Sequence, residues 1–393
     1  MNGQKLPGHA KLLYFANMRY KFYLAAVLSF FCFIVSAQEQ HYLITGTYTS
    51  GKSEGIYVYR FNSNDGSHKE ISHVKTSNPS FVAVSPDEKF VYAVQEDAAN
   101  NGKGGELTAF SFNKQTEILT YINQQPTGGD HPCYVSVDKT GRWVAAGNYS
   151  SGSLTVFPVK QDGSLGVAGT HIQHEGSGVN KERQSKPHVH CTVFSADNKF
   201  LFVPDLGIDK VMIYAFDEVT GKLTAAKQPL ARSTDGAGPR HFTFHPFNKY
   251  AYLIEEMSGT VVGFKYKNGK LKSMQRISTM AAGDTSNAAS ADIQVSHDGK
   301  FLYASNRGNA NNIAIFKIKQ NGKLVTVGHQ STLGRAPRNF NLDPSGNFLL
   351  VGNQNSDEIV VFKRDKETGL LTDTQQRIKV GKPVCLRWIS VKQ

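Results

Sequence analysis

The sequence predicts an all-β fold, a closed ring of seven four-stranded antiparallel units, and three observations predict it. The first is an internal repeat. Aromatic-led apolar runs open at Tyr42, Phe90, Trp143, Phe200, Tyr250, Phe301 and Phe348, with gaps of 48, 53, 57, 50, 51 and 47 residues. A steady period near 50 marks a repeat architecture. The second is the pattern inside one unit. Phe242 and Phe244 alternate with polar neighbours, His245-Pro246-Phe247-Asn248 is turn chemistry, and Tyr250 to Ile254 is a second run of strand length. A turn that short makes the pair antiparallel. The third is the fit of the ends. His41-Tyr42-Leu43-Ile44 reads as the second strand of a unit, and Pro383 to Ile389 supplies the first strand that this unit lacks.

The remaining elements follow in order. Polar turns carrying a base precede the aromatic at Glu88-Lys89, Gly141-Arg142, Asn198-Lys199, Asn248-Lys249 and Gly299-Lys300; Ser345-Gly346-Asn347 is a sixth turn without the base. A second hairpin then completes each unit. Asn268-Gly269 and Asn321-Gly322 are strong hairpin signals, and Asp65-Gly66, Asp162-Gly163, Thr220-Gly221 and Thr368-Gly369 take the same place elsewhere. Such a unit cannot cover both its faces alone. Packed face to face around an axis, seven of them leave only short edges, which is a seven-bladed β-propeller over residues 38–393. Gln173 to Lys186 is an insertion expected to be a surface loop.

Residues 1–37 read separately. Leu24 to Val35 is apolar, follows Arg19 and Lys21, and ends at Val35-Ser36-Ala37, the pattern of a cleaved secretory signal peptide. Met18 is a natural start for it, and an uncleaved anchor is the other reading. A periplasmic or secreted protein is expected, with no stable membrane insertion after cleavage. The formal charge of +12 falls to +8 once Lys5, Lys11, Arg19 and Lys21 leave with the leader. That balance favours an anionic ligand or surface, with a merely soluble basic exported protein as the plain alternative. No basic run with interleaved aromatics points to nucleic acid. Cys133, Cys191 and Cys385 remain, an odd number without zinc or disulfide spacing, so buried free thiols are expected.

Function should gather where first strands begin and second strands end, on one rim of the ring. At the beginnings stand Ser80, Cys133, His188, Arg240, Ser290, Arg338 and Val384. At the ends stand Thr47, Glu96, Asn148, Asp205, Glu256, Arg307 and Gln354. Arg240 therefore lies beside Glu256. Three arginine forks on one cavity suit a carboxylate or phosphate, and a carboxylate with an imidazole suits acid–base work. A purely structural Arg240–Glu256 pair is the plain alternative. His188 and His190, two apart on a strand, point the same way; metal binding with Glu256 and structural bonding are alternatives to catalysis. His241 and His245 read as packing and turn residues, and Glu255 as a bystander. No serine-nucleophile motif occurs.

These stretches resemble the lactonase family of seven-bladed propellers, the propeller-type 6-phosphogluconolactonases, over about His41 to Trp388. The resemblance rests on Pro187-His188-Val189-His190, Val203 to Lys210, Gly238-Pro239-Arg240-His241-Phe242, Glu256 to Val261, Asn306-Arg307-Gly308, Pro337-Arg338-Asn339-Phe340 and Gly352-Asn353-Gln354. The family is similar to carboxymuconate lactonizing enzymes, whose His, two Arg and Glu fall by motif on His188 or His190, Arg240, Arg307 and Glu256. The resemblance implies hydrolysis of an anionic sugar lactone without a cofactor. Taken with the rim positions, it leads to the expectation that Glu256, His190, His188 and Arg307 are catalytic and that Arg240, Arg338, Asn148, Asn353 and Gln354 bind substrate, with Glu256 activating water. Glu255, where the family often has Asn, is expected to raise one carboxyl pKa by repulsion. A cycloisomerase and a non-catalytic binding propeller are the alternatives. The export signal departs from a cytosolic phosphorylated substrate and leaves the lactone open.

Overall fold

Four antiparallel strands make each sheet, and the described residues hold seven such sheets. The structure is a computed structural model and describes Gly3, residues 39–98 and residues 104–391. The leader expected over 1–37 lies, apart from Gly3, outside the described residues. Blade 5 shows the plan: Pro239–Phe244 inside, then Tyr250–Glu255, Thr260–Lys267 and Lys270–Ser278 outward. The expected closure is present. Pro383–Ser390 pairs with Gln40–Thr47, so the last strand completes the first blade. No described helix is long and apolar enough to cross a membrane.

The two signals that revealed the repeat touch each other. The ring of Trp143, which opens the second strand of blade 3, lies where a Cβ on Gly221 of blade 4 would stand. Gly221 also has φ +70°, so the hairpin needs glycine for both backbone and space. Phe90 with Gly163, Phe200 with Gly269, Tyr250 with Gly322 and Phe301 with Gly369 repeat the seat. Two residues further on, Tyr92, Tyr252 and Tyr303 donate their hydroxyls to the carbonyls of Gly163, Gly322 and Gly369 at 3.1, 2.9 and 2.9 Å. Blades 2 to 6 are thereby each keyed into the next. Cys133, Cys191 and Cys385 are free and buried.

Inner strands carry a bulge at their start. The pairing shifts between Pro239 and His241, Pro132 and Tyr134, and Pro337 and Asn339. Arg240, Cys133 and Arg338 are the extra residues. A bulge re-aims a side chain, and here it turns these three toward the channel at one rim.

Candidate active site

The register fixes which residues ring the mouth, and it differs by one from the expected set in several blades. Pro132 pairs with Asn148, Ser290 with Asn306, and Pro337 with Asn353, as Pro239 pairs with Glu255. The positions equivalent to Glu256 are therefore Tyr48, Glu96, Tyr149, Leu206, Arg307 and Gln354. Thr47, Asn148 and Asp205 stand one residue early and face the other way. On the inner strands His190 and Ala291, rather than His188 and Ser290, match Arg240, since Val189 bridges Asp205.

Two expected substrate contacts are thereby corrected. Asn148 and Asn353 are fully buried, and their amide nitrogens donate to Thr127 O and Thr332 O at 3.3 and 2.9 Å. Asn306 does the same to Thr279 O at 2.9 Å. All three tie a second strand to the chain leaving the preceding fourth strand or its equivalent. Gln354 does reach the rim, half-buried on the 3-10 turn Gln354–Ser356.

Glu256 is the hub. Arg240 Nε donates to its Oε2 at 2.9 Å, Arg307 Nη2 approaches the same oxygen at 2.9 Å, and Arg183 Nη2 donates to Oε1 at 2.6 Å. Burial alone would raise this carboxyl, but Arg307, Arg240 and Arg183 outweigh it and hold the pKa well below the ordinary range. The expected upward shift from Glu255 does not occur. Glu255 faces away and is gripped by Arg276 Nη1 and Nη2 at 2.9 and 2.6 Å. A carboxylate so stabilised is a permanent anion and a feeble base. Its two oxygens are placed to hold three arginines.

Arg240 is 1% exposed. Its Nη1 donates to Ala291 O at 2.6 Å and to His241 Nε2 at 3.1 Å, which leaves Nη2 without a protein partner among the described residues. Arg307 is braced by Nε on Ala289 O at 2.9 Å, and burial lowers its pKa to about 10. Arg338 lies 3.9 Å from Glu96 and 5.4 Å from the Tyr48 ring centroid, while Tyr48 donates to Glu96 at 2.8 Å. Its donors are the least engaged of the four arginines.

Arg183 was not legible as a site residue. The insertion after Gln173 is no mere surface loop. Gln184 is fully buried and donates to Leu206 O at 2.8 Å, pinning the turn that carries Arg183 over the mouth. Tyr149, another missed residue, stacks on His188 at 4.5 Å and meets His190 edge-on at 5.3 Å. The two histidines do share one side. His188 Nδ1 donates to Tyr149 O at 2.9 Å, so Nε2 carries the lone pair. Burial lowers both pKa values, and for His190 the charge of Arg240 lowers it further. Both rings are neutral near pH 7. Cys133 Sγ lies 3.6 Å from His190 Nδ1, but burial pushes the thiol pKa up, so it is no ready nucleophile. No group of three His, Cys, Asp or Glu among the described residues is arranged to hold a metal ion.

Known proteins are similar in fold and in sequence. Residues 42–388 match the family model described as Lactonase, 7-bladed beta-propeller. The chain is 39% identical to a 6-phosphogluconolactonase of Formosa agariphila over 86% of its length and 97% of the relative's. It is 38% identical to a 6-phosphogluconolactonase of Bacillus subtilis over 88% and 97%. The solved structure of a periplasmic gluconolactonase of Pseudomonas aeruginosa superimposes with a TM-score of 0.85 at 38% identity, covering 90% of this chain and 99% of that one.

Proposed function

Since the chain belongs to the seven-bladed β-propeller lactonase family, we propose that it hydrolyses an anionic sugar lactone, 6-phosphoglucono-1,5-lactone or a related lactone of the exported compartment, to the open hydroxy acid. The observation that carries this reading is the convergence of Arg183, Arg240 and Arg307 on one buried carboxylate, with Arg338 in the same mouth. Four fixed cations outnumber Glu256 and Glu96, so the mouth favours an anion. Guanidinium donors preset for a carboxylate or phosphate also suit the oxyanion that forms when water adds to a lactone carbonyl.

In this reading His188 Nε2 takes a proton from water as its oxygen bonds to the carbonyl carbon. The tetrahedral oxyanion is held by Arg240 and Arg338. Collapse breaks the ring C–O bond, and the alkoxide recovers a proton from the imidazolium. Glu256 holds Arg240 and Arg307 in place throughout. Residues 1–37 direct the chain out of the cytoplasm, a location that would favour a lactone present there.

The test is pH-stat hydrolysis of phosphorylated and plain gluconolactone by the protein lacking residues 1–37. Turnover above the uncatalysed rate is expected, and His188→Gln should lower kcat roughly 100-fold. Glu256→Gln should lower kcat and raise KM together, because the arginines lose their common anchor. No acceleration on any of a panel of sugar lactones would remove the hydrolase reading. Wild-type kcat in His188→Gln would remove that base alone.

A further inference from the structure

Below the mouth, an unbroken hydrogen-bonded chain runs from one inner strand to the next, and it includes a histidine that the sequence reading treated as packing. His241 is buried. Its Nδ1 lies 2.8 Å from Asp292 Oδ1, and its Nε2 lies 3.1 Å from Arg240 Nη1. Arg240 Nε in turn reaches Glu256 Oε2 at 2.9 Å. The donors set the direction. A guanidinium can only donate, so His241 Nε2 must be bare, and the single ring proton must sit on Nδ1 and point at Asp292.

Asp292 is built to stay an anion. Ile293 N donates to it at 2.9 Å, Asn339 Nδ2 at 2.5 Å and Gln294 Nε2 at 3.4 Å. The other groups facing His241 come from every side of the channel. The rings of Phe81, Tyr134 and His190 stand 5.9, 5.2 and 5.4 Å away, the charge of Arg338 acts against its protonation, and Arg387 acts on Asp292. The rings fix the imidazole plane, and the two hydrogen bonds fix its tautomer.

We infer that His241, held by Asp292, is a positioning residue that locks the guanidinium plane of Arg240, so that Nη2 is the donor offered to substrate. Nε is committed to Glu256 and Nη1 to Ala291 O and His241. Nη2 alone is uncommitted. Without the imidazole acceptor the guanidinium keeps only Glu256 and Ala291 O and its plane can swing about the Cδ–Nε bond, and an oxyanion donor that wanders loses most of its value. The catalytic consequence rests on the lactonase reading above; the tautomer does not.

Two measurements separate them. Long-range 15N–1H correlation near pH 7 reports the tautomer of each of the 13 histidines, and loss of one signal in His241→Phe assigns it. A neutral Nδ1–H ring is expected; an Nε2–H ring overturns the chain, whatever the protein catalyses and whether or not variants fold. In lactone hydrolysis, His241→Phe keeps the ring packing but should lose roughly 10- to 100-fold in kcat with little change in KM. His241→Gln, which can still accept from Arg240 and donate to Asp292, should recover a large part of it. Wild-type kcat in His241→Phe, or a Gln variant no better than Phe, overturns the positioning role. If wild-type protein opens no lactone at all, the lactonase reading fails while the tautomer still decides the chain.

Discussion

Three of the residues that matter most, Arg240, Glu256 and Arg307, announced themselves in the sequence because repeat-equivalent positions that need only small polar groups held charges instead. What the sequence could not announce was their state. Glu256 looked like a base until three guanidiniums were found on its two oxygens. His241 looked like packing because its partner, Asp292, lies on the next blade, 51 residues away. Its environment gives a pH prediction. Burial, then Arg240, lowers its pKa from 6.5 to about 4, against the pull of Asp292. The unfolded chain thus takes up this proton near pH 6.5 and the folded chain only near 4. Between those values the unfolded state binds more protons, so stability is full above 6.5 and falls as pH drops. By pH 4.5 this one group should cost about 2–3 kcal/mol. Urea unfolding at pH 7.5 and 4.5 measures it, and the difference should shrink by that amount in His241→Phe. An unchanged difference would mean that the ring is already charged in the folded protein.

Strands were read correctly wherever alternation and turn chemistry agreed, and the misreadings fall at strand ends. There a bulge inserts one residue, and a slip of one turns a side chain to the opposite face. That is why Asn148 was expected on substrate while Tyr48 and Tyr149 were passed over; Asn353 was expected there although Gln354 beside it was already in register. Each apparent rim asparagine instead serves its blade. Asn353 is enclosed and bonds Thr332 O, and Gly334 lies so close that a Cβ there would overlap the asparagine side chain. Asn353→Ala leaves that carbonyl without its donor, so a loss of about 1–3 kcal/mol is expected from urea unfolding. KM for a lactone should not move, since the side chain faces away from the mouth. A raised KM with intact stability would return Asn353 to the binding surface. The insertion carrying Arg183 failed to be legible for another reason: no other blade has its counterpart, so repeat comparison had nothing to set it against.

At the scale of the whole ring, the arginine cluster exists only because the circle is closed. Arg183 rides on the loop after blade 3, Arg240 and Glu256 belong to blade 5, Arg307 follows the second strand of blade 6 and Arg338 lies on the inner strand of blade 7. No blade holds the site by itself. Closure depends on a single strand contributed from the far end of the chain, Pro383–Ser390, which pairs with Gln40–Thr47 over seven residue partners. It also reaches the neighbouring blades through backbone and side chains. Leu386 N donates to Asn339 Oδ1 of blade 7 at 2.8 Å, Val82 N of blade 2 lies 3.3 Å from Cys385 Sγ, and the Arg387 guanidinium sits 4.6 Å from the Phe81 ring centroid. Ending the chain before Pro383 would strip blade 1 of its inner strand and expose the edge of Gln40–Thr47, along with Leu43, Ile44 and Tyr42, now buried. An open strand edge with apolar flanks pairs with other chains. The truncated protein should therefore elute as soluble aggregate in size-exclusion chromatography and lose its cooperative thermal transition. A synthetic peptide of residues 383–390 should restore part of that transition by filling the vacant edge. If the truncated chain stays monomeric and melts as the full chain does, the ring is held by contacts between blades alone, and the terminal strand is dispensable to the geometry that brings four arginines together.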